Sequence, residues 1–362
     1  LSGIDAGADA NRHRTLSTWV QVGVLVVIAG WILHLGRTVF VPAVLAALLV
    51  YVILGLTRLS GRLPRVGPWL PAGVRALIAV AIAVAALAVI AWIALANLDR
   101  LAARLPEYQA SLLATIQAFA VRAGLDDEPT WATLRAVALE QGHVRAILGT
   151  TVSIATAIVS GAIVVLLYMA FLLVERGALP AKLARLSSDP AHAERLRAIV
   201  ADINGRVGTY LALKALLGAI QGIASYAVMR AFGLEFATFW AMLIVLLNFV
   251  PYLGSMLSVA LPVAMGVVQF GEPGTVLALL VALGAVQFVI GNFLDPWLLG
   301  NSLNLSPLVI LVSLSVWTSL WGIPGAFLAV PLTAAMAIVF SEFAATRPIA
   351  VLLSRDGTLS TD

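Results

Sequence analysis

Asn248-Phe249-Val250-Pro251-Tyr252-Leu253-Gly254-Ser255 interrupts an apolar run that extends from Phe236 to Thr346 without a lysine, arginine or histidine. Only three acids, Glu272, Asp295 and Glu342, fall within that run. A second interruption, Leu320-Trp321-Gly322-Ile323-Pro324-Gly325, follows in it. Sequence so poor in charge over such a length requires lipid as its solvent. Lipid tolerates irregular backbone only where it is buried in protein or lines a water-filled cavity. In transporters, paired interruptions of this kind point to the substrate site.

The apolar arms around the breaks are short. Phe236 to Val250 and Met256 to Phe270 flank the first, and Val309 to Leu320 and Ala326 to Phe340 flank the second. Each falls below the roughly 20 residues a crossing helix needs. The expectation is two helical hairpins that enter and leave on one side, with a full span, Thr275 to Leu294, between them. The alternative is a plain eight-span arrangement of long kinked helices.

Working outward, Trp19 to Leu35 and Thr38 to Leu56 form a tight hairpin of spans around Gly36-Arg37, with Pro42 near the start of the second, where a missing amide proton costs little. A third span covers Ala76 to Leu95, so residues 17–97 hold three transmembrane helices. Residues 98–149 differ in character: Leu101, Leu105, Tyr108, Leu112, Ile116 and Phe119 recur every three or four positions along one helical face. Gly124 to Pro129 breaks that helix, and a second amphipathic helix covers Trp131 to Leu148. The fourth span lies in residues 150–174. Residues 175–209 form a charged segment in which Leu196, Ile199, Val200, Ile203 and Val207 make a helical stripe leading into Tyr210. A fifth span runs from Leu211 to Phe232 and opens the C-terminal core, residues 210–345. Residues 1–16 read as a disordered polar tail and 346–362 as a cytoplasmic one. The fold class is therefore all-α: a polytopic integral membrane protein of about eight membrane segments, with two broken or re-entrant hairpins in its C-terminal half.

Composition agrees. Of 362 residues 61% are hydrophobic and 11% charged, against roughly 25% charged in soluble domains, and mean hydropathy is +1.02. The sequence has no cysteine, which excludes disulfides, thiolate metal sites and cysteine nucleophiles. The net charge of +4 comes from arginines in short loops beside apolar spans, which orient the protein in the membrane and do not indicate nucleic acid. Arg58, Arg62, Arg65 and Arg75, with the basic-leaning segment 175–206, belong on the cytoplasmic side. Residues 99–149 then face outward, while Arg12 and Arg14, and Arg347 and Arg355, place both termini in the cytoplasm.

Proline removes a helical hydrogen bond and glycine permits angles closed to other residues, so each break frees amides and carbonyls. Freed N–H groups attract anionic or hydroxyl groups, and freed carbonyls take cations or donors. Candidate substrate-binding residues are Asn248, Pro251, Tyr252, Gly254 and Ser255 at the first break. Gln287 and Asn292 join them from the intervening span, and Ser315, Thr318, Gly322, Pro324 and Gly325 from the second break. These uncharged groups suit a small polar solute, although any single Ser or Thr also serves helix-to-helix hydrogen bonding. Asp295 is the candidate ion-coupling residue, for a proton or sodium, because an intramembrane carboxylate is a functional hypothesis by default. An interfacial helix end at Asp295-Pro296 is the competing reading. Asn292 lies one helical step from Asp295, and Gln287 about two turns back. Lys214 and Gln221, at the start of the fifth span, are similar cases, and Lys214 is expected to snorkel to the interface.

Enzymatic readings find no support. The four histidines, His13, His34, His143 and His192, lack His-Glu-x-x-His spacing, and neither a Gly-x-Ser-x-Gly elbow nor a phosphate-binding Gly-x-x-x-x-Gly-Lys-Ser/Thr loop occurs. No cofactor or metal is expected, and any drive comes from an ion gradient or simple facilitated movement. A non-transporting scaffold would make the breaks packing features only.

The order of motifs resembles the autoinducer-2 exporter family of bacterial permeases. That pattern runs through Gly233, then Asn248, Pro251, Tyr252 and Gly254, then Gln287, Asn292 and Pro296, then Leu305-Ser306-Pro307, then Gly322, Gly325 and Pro331. The likeness covers about residues 17 to 345 and is specific from Tyr210 onward. Pro324 and Asp295 depart from it: the pattern does not require the first, and puts a mostly apolar or amide residue in place of the second. The resemblance implies an oligomeric, pentameric transporter of the bacterial inner membrane, with members that export the quorum-sensing signal autoinducer-2. Other relatives resemble sodium or lithium/proton antiporters.

Overall fold

The computed structural model describes residues 20–21, 23–62, 71–122, 160–178, 181–182, 189–300 and 303–357. Among them every element is helical apart from one isolated antiparallel bridge, Leu305 to Ser354. The elements are α1 (Gly23–Leu35), α2 (Arg37–Arg62), α3 (Ala72–Arg122), α4 (Ser160–Glu175), α5 (Pro190–Ala231), α6 (Ala237–Leu247) and α7 (Leu253–Phe270). Then follow α8 (Pro273–Val289), a π-turn (Ile290–Leu294), α9 (Asp295–Leu299), α10 (Pro307–Trp321), α11 (Ile323–Glu342) and α12 (Arg347–Leu353). Among the described residues, five stretches are long and apolar enough to cross a membrane: Arg37–Gly55, Ala193–Ala231, Leu253–Phe270, Pro273–Leu299 and Ile323–Glu342.

The long helices exceed expectation. Third span and first amphipathic segment are one helix, α3, of 51 residues, roughly 75 Å at 1.5 Å per residue and so far longer than a bilayer core. The apolar stripe 196–207 of the charged segment and the fifth span are likewise one 42-residue helix, α5. Asp189 caps it, its carboxylate accepting from Ala191 N at 3.0 Å, with Pro190 at the first helical position where its missing N–H is harmless. The junction in α5 carries no proline, while α3 runs on through Pro106 in its amphipathic part. The tails 1–16 and 358–362, the Trp131–Leu148 helix and the start of the fourth span lie outside the described residues.

Helix α5 is the axis of the C-terminal core and packs on α2, α6, α8, α9 and α11. Gly218 and Gly222 let α6 press onto it: a Cβ at Gly222 would collide with the Val245 side chain, and one at Gly218 would crowd the Val245 carbonyl. Small residues four apart are how membrane helices approach closely where no hydrophobic effect drives them together. Beyond the crossing, Met229, Leu234, Ile244, Met265, Leu279 and Leu283 close into one buried cluster joining α5 to α8.

Both breaks form helical hairpins. The open ends of α6–α7 meet, with Gln269 Oε1 accepting from Glu235 N at 2.7 Å and Gln269 Nε2 donating to Gly233 O at 2.9 Å. The arms are unequal, 11 residues in α6 against 18 in α7, and 15 in α10 against 20 in α11. The expectation of four arms each too short to cross therefore holds for α6 and α10, whereas α7 and α11 are long enough. The tip of α10–α11 packs against the end of α1, where Trp321 Nε1 donates to Leu33 O at 2.9 Å. Trp317 and Trp321 pack beside it as a tilted pair with centroids 5.1 Å apart and ring planes at 48°. Trp321→Phe keeps an aromatic ring but loses the donor and part of the buried indole's volume. It is expected to cost about 1–3 kcal/mol, read as a lowered unfolding midpoint in detergent.

Candidate functional site

The tip of the α6–α7 hairpin is the turn Asn248–Tyr252. Phe249 N and Val250 N close it by donating to Leu246 O and Leu247 O, three residues back. Tyr252 adopts φ 59°, a region costly for a residue with a side chain, which concentrates strain of about 1–3 kcal/mol at the tip. Gly254 then lies so close to the incoming arm that a Cβ there would collide with the Leu247 carbonyl oxygen. Gly325 repeats the device in the second hairpin against the Trp317 carbonyl.

The first tip reaches α5, where Asn248 Nδ2 donates to Lys214 O at 3.1 Å. From there a cavity of about 390 Å³ opens among α5, the α6–α7 tip, α8–α9 and the loop before α10. Of the sequence-derived candidates, Asn248, Pro251, Tyr252, Gly254, Ser255, Gln287 and Asp295 all line it. Tyr210, Lys214, Gln221, Gly291, Asn304 and Arg355 complete its polar wall. The cavity volume is in the range of small-molecule sites.

Two polar layers cross the α5–α8/α9 boundary. In one, Lys214 Nζ donates to Asp295 Oδ2 at 2.8 Å, the side chains being 12% and 25% exposed. In the other, Gln221 Nε2 and Ser258 Oγ both donate to Gln287 Oε1, at 2.5 and 2.9 Å. Two acceptors remain over: Asp295 Oδ1 and Gln221 Oε1 are buried with no hydrogen-bond partner among the described residues. Buried polar atoms normally find one, so two orphans lining one cavity mark a place for a donor or a cation. Gln287→Leu is expected to cost about 1–3 kcal/mol by stranding Gln221 Nε2, while Ser258 Oγ keeps the Ser255 carbonyl at 2.9 Å, and Gln221→Leu added to it to recover part of the loss, in the same unfolding assay.

The π-turn explains which residues face inward. A turn closed by i→i+5 bonds holds an extra residue, so positions four apart keep to one face and Gln287, Gly291 and Asp295 all reach the cavity. Asn292, expected beside Asp295, is instead exposed and donates to Phe288 O on its own helix at 3.0 Å. The second break also departs from expectation. Ser315 is exposed and donates to Leu311 O one turn back, Thr318 is exposed, and Gly322, Pro324 and Gly325 form the tip beside α1, away from the cavity. That hairpin contributes instead Asn304 and Leu305 ahead of its first arm, Ile310 on that arm and Val330 on the second. Lys214 does not snorkel, since its ammonium turns inward to Asp295, and Asp295 lies on the cavity wall. Lys214 and Gln221, singled out in the sequence beside Asp295, join the site together with Tyr210, which was not among the candidates; the three sit four and seven apart on one face of the apolar span of α5.

Comparison with known proteins adds to this geometry. The family model described as AI-2E family transporter matches residues 22–345. The AI-2 transport protein TqsA of Escherichia coli K12 is 31% identical over 342 residues, covering 92% of this chain and 94% of its own. A putative transport protein of Borreliella burgdorferi is 31% identical over 202 residues, 56% of either chain. The putative transport protein YhhT of Escherichia coli K12 is 35% identical over 147 residues, 41% of this chain and 42% of its own.

Proposed function

Because the chain belongs to the AI-2E transporter family, whose members are membrane transport proteins, we propose that it is a secondary transporter exporting a small polar solute such as autoinducer-2. The solute site is the cavity between α5, the α6–α7 tip and α8–α9. One observation carries this reading: seven polar or backbone-breaking residues from separate elements converge on one cavity, two of whose buried acceptors lack partners. A polyhydroxylated or amide-bearing solute offers the donors those oxygens need.

Movement follows from the same parts. The α6–α7 hairpin ends where it begins, is strained at Tyr252 and touches α5 through Asn248, so it forms a re-entrant gate that rocks against α5 and gives alternating access. Asp295 takes the coupling ion, a proton or sodium. The protein sits in the bacterial inner membrane as a homo-oligomer, a pentamer by family likeness, with both termini cytoplasmic. A second reading, a sodium or lithium/proton antiporter of the same fold, is favoured by the half-partnered carboxylate of Asp295.

Flux of labelled autoinducer-2 from proteoliposomes, with and without imposed proton and sodium gradients, separates the two. Protein-dependent flux accelerated by a gradient is expected. Absence of that flux together with pH changes on adding sodium would replace export by antiport.

A further inference from the structure

Lys214 and Asp295 are a partly buried pair joined on one side only. The ammonium takes Asp295 Oδ2 at 2.8 Å and leaves Oδ1 buried without a partner among the described residues. Burying two charges is costly, and the cost is recovered only where the remaining lone pairs are satisfied as well. This pair is thus poorly explained as a device for stability.

What is left unfilled there is a place for one donor or cation on Asp295 Oδ1. Gln221, 2% exposed, carries a second orphan oxygen and lines the same cavity, but it sits seven residues along α5 from Lys214, roughly 10 Å, in the other polar layer and too far to share one small cation with Asp295. Oxygen atoms of carboxylate and amide are ligands for hard cations. A small monovalent cation seated on Asp295 Oδ1 would meet the Lys214 ammonium across one carboxylate, and like charges so close disfavour double occupancy. The four-carbon stem of lysine lets the ammonium leave without moving the helix. The carbonyl of this same Lys214 holds the hairpin through Asn248 Nδ2 at 3.1 Å.

We propose that Lys214 is a tethered counter-ion: it occupies Asp295 while the cavity is empty and competes with the coupling cation for that carboxylate. This deepens the reading of Asp295 as the coupling residue and rests on it. Lys214 thereby sets the cation affinity of the carrier, and it neutralises Asp295 in a cavity whose wall also carries Arg355.

Purified full-length protein in detergent tests this by thermal unfolding against sodium or lithium chloride, with N-methylglucamine chloride holding ionic strength constant. Lys214→Gln is expected to lower the cation midpoint at least tenfold relative to the unaltered chain, and Lys214→Gln with Asp295→Asn to abolish the cation response. Lys214→Arg, whose planar fork engages both carboxylate oxygens, is expected to raise the midpoint at least tenfold. An unchanged or higher midpoint in Lys214→Gln overturns the proposal. If that variant does not fold, an unchanged midpoint in Lys214→Arg does so instead, as does the absence of any cation response in every variant. Gradient-stimulated flux of Asp295→Asn is read in parallel. Its persistence refutes the coupling role of Asp295, whereas its loss beside an unmoved Lys214→Gln midpoint refutes only the tethered counter-ion.

Discussion

Asp295→Asn is expected to abolish gradient stimulation of transport while leaving the cavity's shape intact. Asparagine is nearly isosteric with aspartate but carries no charge to bind a proton or cation, so flux should fall to the same rate with and without a gradient. The substitution also strands the Lys214 ammonium, 12% exposed, without its counter-charge. Breaking a buried ion pair from one side costs about 3–5 kcal/mol, whereas removing both partners is far less damaging. Stability and coupling can therefore be separated. Asp295→Asn should lower the unfolding midpoint and lose coupling, and Lys214→Gln with Asp295→Asn should recover the midpoint without recovering coupling. Recovery of both in the double variant would make the pair structural only.

Gly254→Ala carries the second large effect. The added Cβ would collide with the Leu247 carbonyl oxygen, a backbone atom that cannot rotate away. Overpacking of this kind costs about 1–3 kcal/mol even where side chains can shift, and here the hairpin arms themselves must separate. The expectation is strongly reduced transport and a lowered unfolding midpoint. Gly284→Ala is the matched control, a helical glycine with nothing within 4 Å of the added carbon. There alanine is expected to be neutral, or stabilising by up to about 1 kcal/mol. Gly325→Ala should resemble Gly254→Ala in stability, because the Trp317 carbonyl blocks it in the same way. It should spare solute affinity in whatever fraction remains folded, since Gly325 lies away from the cavity.

The sequence made the helices and the first break legible because each rests on local chemistry. Charge depletion from Phe236 to Thr346 sets the solvent, and Pro251 with Gly254 sets the turn. Longer-range facts were less accessible. The π-turn at Ile290–Leu294 is flanked by Asp295-Pro296, which the sequence offered only as a helix end, yet the turn rotates Asn292 outward and brings Asp295 in. The second break carries the same glycine device as the first, so sequence alone gave both equal weight as binding elements. Only packing of Trp321 on α1 separates the hairpin tip that supports from the one that lines the cavity. Lys214 looked interfacial because it lies near the polar end of a span. What decides its direction is a carboxylate 81 residues away.

The absence of cysteine from the sequence makes the most direct test of the site practicable. Ser255→Cys would place one thiol on the cavity wall, and Ser315→Cys one on the exposed face of α10, outside it. Modification of each by a thiol reagent in proteoliposomes is followed with and without autoinducer-2. The solute is predicted to slow modification of Ser255→Cys and to leave Ser315→Cys unchanged. Equal rates at Ser255→Cys with and without solute, in protein that transports it, would place the solute path outside this cavity.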